Sequence, residues 1–167
     1  MGVNKYKAHV WVVPEDDANR QLANGFLLHP ALNDTCIEIR PASGGWLRVL
    51  QEFVSDHVSD LRKYPLRHLV LLIDFDEKVE TRTERFRNEF PDDVSGRVYV
   101  LGTRDEPEPL RRALGQSLER IGEALAGSCA DGNPELWNHE LLNHNQAELD
   151  RLTENVKPIL FSPPAGS

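Results

Sequence analysis

The sequence predicts an α/β fold, an open, mainly parallel sheet of four to five strands with helices on both faces. Three observations predict it. Short apolar runs alternate with segments of helical periodicity along the chain. One run, Leu69–Ile73, is apolar without interruption, as in a strand covered on both sides. The 167 residues are 40% hydrophobic and 28% charged, an ordinary globular composition long enough to bury one core.

His9–Val13 is the first strand, followed by helical spacing at Ala18, Leu22, Ala23 and Phe26. Thr35–Ile39 is the second strand and places Cys36 in it as a small core residue. Trp46, Leu47, Leu50, Phe53, Val54, Val58 and Leu61 then mark a helix that ends before Pro65. Its sheet-facing side carries Trp46, Leu50, Phe53 and Leu61, and Val70, Leu72 and Ile73 of the third strand belong to the core. Val79–Phe90 is charged, anchored only by Val79, Phe86 and Phe90, and reads as an exposed helix. The fourth strand is Val98–Leu101, and one amphipathic helix follows from Leu110 to Leu125. Cys129–Asn133 is a turn and Pro134–Leu152 a further helix, with Pro134 in its first turn. Pro158–Phe161 is the candidate fifth strand. The organisation is one domain over residues 1–162, with a core at 7–102, helical elaborations at 106–155 and a loose tail at 163–167.

Composition excludes several classes. Two distant cysteines, Cys36 and Cys129, cannot build a disulfide framework or a zinc site made of cysteine pairs. No apolar run approaches the ~18 residues of a membrane span, and Met1–Ala8 lacks the apolar segment of a signal peptide. The expected setting is a reducing cytoplasm without membrane attachment. A net charge of −8 argues against broad, non-specific affinity for nucleic acid, though not against nucleic acid reached through a divalent metal. Glycine-rich nucleotide motifs are absent, and the histidines of His139-Glu140-Leu141-Leu142-Asn143-His144 stand five apart rather than the four a helical zinc motif needs.

The acids fall at informative places. In an open parallel sheet, ligands bind beyond the carboxyl ends of the strands. Glu15, Asp16 and Asp17 follow the first strand, Asp74 and Asp76 the third, and Asp105, Glu106 and Glu108 the fourth. Converging carboxylates repel one another unless a cation neutralises them, and hard divalent cations bind through oxygen. Asp74 and Asp76, two apart on an extended segment, point to the same side and can face one metal. Glu106 and Glu108 are further candidate ligands, although acids flanking Pro107 and Pro109 also suit a helix start. Arg40 and Arg104, each after a strand end, and Gly44 and Gly45 at a helix start are candidate phosphate contacts. Arg82, Arg85 and Arg87 read as surface partners of Glu80, Glu84 and Glu89.

The order and spacing of these acids resemble the Toprim domain, which has a glutamate after its first strand and an Asp-x-Asp after its third. Glu15, in Val12-Val13-Pro14-Glu15-Asp16-Asp17, stands at the glutamate, and Asp74 and Asp76 at the pair. The resemblance covers Lys7 to Gly102 and implies Mg²⁺ or Mn²⁺ held by Asp74 and Asp76. It further implies Glu15 as the acid/base and phosphodiester chemistry on nucleic acid, in some members beside a protein partner such as an ATPase. Two features depart from the family. Pro14 precedes the glutamate where many members carry glycine nearby, and the tyrosine and zinc modules of topoisomerases and primases are missing. A small nuclease-like member is what the resemblance then implies. Two alternatives stand beside it. One is a receiver-like or phosphatase-like phosphoryl-transfer domain using Asp74, Thr103 and Lys157; the other is a non-enzymatic interaction module that keeps the fold.

Overall fold

Four of the apolar runs form strands, and the computed structural model, which describes residues 2–161, pairs them all in parallel. They are β1 (His9–Pro14), β2 (Ile37–Ile39), β3 (Arg67–Leu72) and β4 (Val98–Leu101), in the order β2-β1-β3-β4. The register sets Val12 beside Val70 and Leu71 beside Val100. The first and third strands are thus neighbours, so the segments leaving their carboxyl ends meet at the point where the strand order reverses.

Alternation along each strand divides the core in two. Val10, Val12, Val70, Tyr99 and Leu101 face one layer, built from α1 (Asp17–Phe26), α6 (Pro107–Leu114), α7 (Leu118–Asp131), α8 (Gln146–Asn155) and α9 (Lys157–Leu160). Val13, Leu69, Leu71, Val98 and Val100 face the other. That layer comprises α2 (Trp46–Glu52), α3 (Val58–Lys63), α4 (Val79–Arg87) and α5 (Asp92–Ser95). A π-helical turn, Phe53–His57, joins α2 to α3 without a break, so the helix expected from Trp46 to Leu61 is present. Its Leu50, Phe53 and Leu61 are buried and Trp46 is half-buried against the same cluster, as the spacing requires. Val70 and Ile73 lie in the core, and Leu72 is half-buried against it.

Several boundaries differ from the expectation, each for a local reason. Pro158–Phe161 is not a fifth strand: Lys157–Leu160 is a short helix with proline in its first turn, where the missing N–H costs nothing. The β4 edge of the sheet is covered by a helix instead of a further strand. There α8 lies along β4 and meets its main chain with side chains. Glu148 Oε2 accepts from the Val100 N–H at 2.8 Å, and Arg151 Nη1 donates to the Val98 carbonyl at 3.2 Å. Asn145, just before α8, accepts from Gly102 N–H at 3.1 Å and donates to Gly102 O at 2.9 Å.

The helix expected over Pro134–Leu152 is confined to α8, after turns and a 3₁₀ segment at Asn143–Asn145. Polar side chains capture backbone groups upstream: Asn133 accepts from Glu135 N–H and His139 from Leu141 N–H. The amphipathic stretch from Leu110 to Leu125 is two helices, because Gly115 turns left-handed (φ 64°) and Ser117 caps α7. α7 continues through Cys129 to Asp131, leaving only Gly132 of the expected turn in the left-handed region. Cys36 lies outside β2, in a 3₁₀ turn at Asp34–Cys36 opened by the Asn33 side chain. The tail at 163–167 lies outside the described residues. Among the described residues no helix is long and apolar enough to cross a membrane.

Candidate metal centre

Glu15 is the first residue past β1. Its N–H is still bonded to Leu72 O (2.9 Å), which carries the sheet register one step beyond the strand. Its main-chain carbonyl accepts from Gly44 N–H (2.8 Å) and Gly45 N–H (3.0 Å), both at positive φ. Those glycines therefore wrap a loop over Glu15, and the two N–H groups expected at a phosphate are engaged there instead. The Glu15 carboxylate turns to the neighbouring strand end, where Oε2 accepts from the Asp74 N–H at 2.7 Å.

Asp16 is the N-cap of α1 and accepts from Asn19 N–H at 3.0 Å. The Asn19 side chain, fully buried, donates to Asp16 Oδ1 (2.9 Å) and Asp74 Oδ1 (2.7 Å) and ties β1's end to β3's. Glu15, Asp16 and Asp74 each offer an oxygen within 4.8 Å of the others. Glu15 and Asp74 are only 6% and 7% exposed.

The electrostatics follow from that crowding. Burial pushes the Asp74 carboxyl up to about 8, against the Asn19 hydrogen bond, and the nearby Glu15 and Asp16 charges push it the same way. Burial also raises Glu15, opposed by the Asp74 N–H and assisted by the charges of Asp16 and Asp76. Among the described residues no basic side chain bonds to the three carboxylates. Arg82 donates to the Asp74 carbonyl (2.9 Å), not to its carboxylate.

The structure redistributes the other expected site residues. Asp76 stands outside the trio: β3 ends at Leu72 and the backbone turns left-handed at Asp76 (φ 49°) and Glu77 (φ 64°). Its carboxylate pairs with Arg82 at 2.5 Å. Arg82 is no surface partner of the α4 glutamates: it is 8% exposed and stacks on the Trp46 ring, 4.3 Å from its centre. Glu108 pairs with Arg111 in the first turn of α6, Glu106 precedes that helix exposed and without a side-chain capping bond, and both stand outside the trio. Arg104 holds the loop after α7 through Glu140 O (2.9 Å) and Asn143 Oδ1 (2.6 Å). Arg40 pairs with Glu38 and lies over Trp11. Lys157 opens α9, in the layer that also contains α1, and lines the apolar space there.

Sequence reasoning undervalued Asp16 as a ligand, missed Asn19 and read Arg82 as a surface partner. A helix-capping pattern, Asp16 with Asn19 three residues on, was the available signal for the first two. Nothing local signalled Arg82, whose role depends on the turn at Asp76.

The donor set suits a hard divalent cation: three carboxylates, two of them buried, with no cationic side chain among the described residues bonded to them. The buried Asn19 Oδ1, one amide away from two of them, has no hydrogen-bond donor of its own. No family model, curated protein or solved structure matches the chain.

Proposed function

We propose that the chain binds Mg²⁺ or Mn²⁺ through Glu15, Asp16 and Asp74 and carries out phosphodiester chemistry on nucleic acid, in the manner of a Toprim-like nuclease. The observation that carries this reading is the convergence of the three carboxylates at the switch point of a parallel sheet. When bound there, the metal supplies charge neutralisation at a phosphoryl oxygen and lowers the pKa of a water.

The chain's own residues do the rest. Glu15, with one oxygen held by the Asp74 N–H, keeps a fixed orientation from which its carboxylate holds or passes a proton. Asn19 fixes Asp16 and Asp74 relative to each other, and Arg82 fixes the Asp74 main chain. The acidic surface makes the metal the bridge to phosphate, and a protein partner such as an ATPase then supplies nucleic-acid affinity the chain lacks.

The test is calorimetric titration with Mn²⁺ followed by a cleavage panel of single- and double-stranded DNA and RNA, with wild type and Asp16→Asn. Metal binding that depends on Asp16, with metal-stimulated cleavage, supports the reading; absence of metal binding overturns it.

Phosphoryl transfer to Asp74 is the second reading. It rests on placement: Thr103, buried just past β4, accepts the Phe75 N–H through its main-chain oxygen at 3.1 Å, which sets the β4 exit beside Asp74, while its hydroxyl donates to Asp105 O. A mass increase after incubation with acetyl phosphate and Mg²⁺, lost in Asp74→Asn, identifies that activity.

A further inference from the structure

On the sheet face covered by α1, α7 and α8 the layer does not close. Between Val12 and Val70 of the sheet, Phe26 of α1, Leu125 of α7 and Leu152 of α8 lies a space of about 140 Å³, half open to solvent. Small-molecule sites have this character: concave, mainly apolar, with a few polar groups that orient the ligand. Glu15, Asp16 and Asp74 do not line it, so it is distinct from the acidic cluster.

The polar groups of the wall fall into two sets. Towards β4 they are satisfied: Gly102 exchanges both main-chain bonds with Asn145, and the Thr103 hydroxyl donates to Asp105 O. The second set is not. Trp137 is 8% exposed, and its buried indole N–H has no hydrogen-bond partner among the described residues. An indole nitrogen can only donate, so it needs an acceptor that the wall does not supply. Lys157 stands half-buried at the start of α9, and among the described residues no carboxylate pairs with it. The two side chains share one part of the wall, because both act on Cys129: burial pushes that thiol up, and Trp137 and Lys157 oppose the rise. A neutral thiol is a weak acceptor and does not replace the missing partner.

The space therefore offers hydrocarbon along most of its wall and two donors, one of them cationic, at one place. A carboxylate matches that pair, with one oxygen for each donor and one charge for the ammonium. A phosphate brings more charge and three acceptor oxygens to two donors. The volume limits the tail: dry cavities of about 150 Å³ hold benzene, a hydrocarbon of about six carbons.

We propose that this space binds a small amphipathic carboxylate, with a hydrocarbon tail of about six carbons against Val12, Val70 and Leu152. Its oxygens accept from Trp137 Nε1 and Lys157 Nζ.

Isothermal titration of the metal-free full chain at neutral pH with hexanoate, butanoate and hexylammonium tests the proposal. Hexanoate is expected to bind one to one. Butanoate, two methylenes shorter, is expected to bind roughly tenfold more weakly, because its tail buries less. Hexylammonium carries the same tail with the opposite charge and is expected to show no saturable binding. Lys157→Gln is expected to weaken hexanoate about fivefold. Trp137→Phe keeps an aromatic wall but removes the N–H, and is expected to weaken it about tenfold. Absence of hexanoate binding, equal binding of butanoate or hexylammonium, or unchanged hexanoate affinity in either folded variant overturns the proposal. So does a dimer in sedimentation that binds no hexanoate, which assigns the open face to a second copy. If Trp137→Phe does not fold, Lys157→Gln and the wild-type comparison of probes decide.

Discussion

Glu148 Oε2 accepts the main-chain N–H of Val100 at 2.8 Å, so a helix side chain takes the place that a neighbouring strand's carbonyl would occupy. The other carboxylate oxygen is held by Arg87 (2.5 Å) and Arg151 (2.8 Å), which balance a charge only 6% exposed. An open strand edge is a template for unwanted pairing, and this arrangement closes it. Glu148→Ala is expected to cost about 2–4 kcal/mol, because it strands a buried N–H and removes a shared partner from two guanidinium groups. Glu148→Gln keeps an acceptor for Val100 and loses less. Urea unfolding of the three proteins gives the order, and equal stability of wild type and the alanine variant would show that α8 closes the edge without Glu148.

The second prediction concerns charge at the acidic cluster. Glu15, Asp16 and Asp74 crowd together, and among the described residues no basic side chain bonds to them, so burial and crowding oppose ionisation of Asp74 and an amide in its place removes that conflict from the metal-free protein. Asp74→Asn is expected to leave apo stability unchanged or slightly higher, as often happens when a functional site is relieved. The rise in Tm produced by millimolar Mn²⁺ in wild type should disappear, because only binding to the native state raises it. Melting curves at fixed ionic strength report both. An equal Mn²⁺ shift in both proteins would show that Asp74 is no ligand, and strong destabilisation of apo Asp74→Asn would make it a structural residue.

The pH dependence follows from the same carboxyl. Asp74, near 8 in the folded protein and near 4 when unfolded, makes the native state bind more protons across that interval. Its contribution is therefore present at low pH and falls as pH rises towards 8. His68 acts in the opposite sense at lower pH. Burial, with the charges of Arg97 and His9, pushes it down to about 4, so the unfolded state binds more protons between about 4 and 6.5. Above pH 6.5 the histidine is silent and Asp74 dominates. Metal-free stability is expected to decline from pH 6.5 to 8 in wild type and to stay level in Asp74→Asn. Chemical denaturation across that range measures both slopes; parallel slopes would place the titration elsewhere.

Asp16 and Asp76 separate the observed trio from the sequence pattern. Asp16 stands with Glu15 and Asp74, whereas Asp76 is paired with Arg82. Asp16→Asn should weaken Mn²⁺ binding by more than about tenfold, and Asp76→Asn by clearly less, through Arg82 and the turn it holds. Isothermal titration decides the ranking, and a larger loss for Asp76→Asn would restore the Asp-x-Asp pair as the ligand set.

Gly102 joins β4 to the third strand's exit. At φ 157° a Cβ on it would lie 1.7 Å from the Ile73 carbonyl oxygen, and both its main-chain groups bond Asn145. Gly102→Ala must move backbone next to Asp74 and should cost at least about 3 kcal/mol. Urea unfolding with a loss under about 1 kcal/mol would show that the two segments part easily.

The chain's own pattern determined the α/β class, four strands, the core face of the helix from Trp46, and the carboxyl-end position of Glu15 and Asp74. Burial of apolar residues at period 2 or 3.6 is a local property, and strand-to-helix order restricts how a parallel sheet is wound. Only tertiary structure decided which acids meet. Asp76 follows Asp74 by two residues, yet the strand ends before both and a left-handed turn sends Asp76 to Arg82. Asp16 joins the trio because Asn19, a helix residue, spans the gap to Asp74. The absent fifth strand has the same origin. Pro158–Phe161 carries apolar residues that suit strand or helix equally; with Pro158 in the first turn the segment folds as α9, and the edge of β4 is met by Glu148 and Arg151 of the preceding helix. The main-chain groups of a strand edge must find partners, and side chains of α8 supply two of them along β4 where a fifth strand would have supplied its backbone.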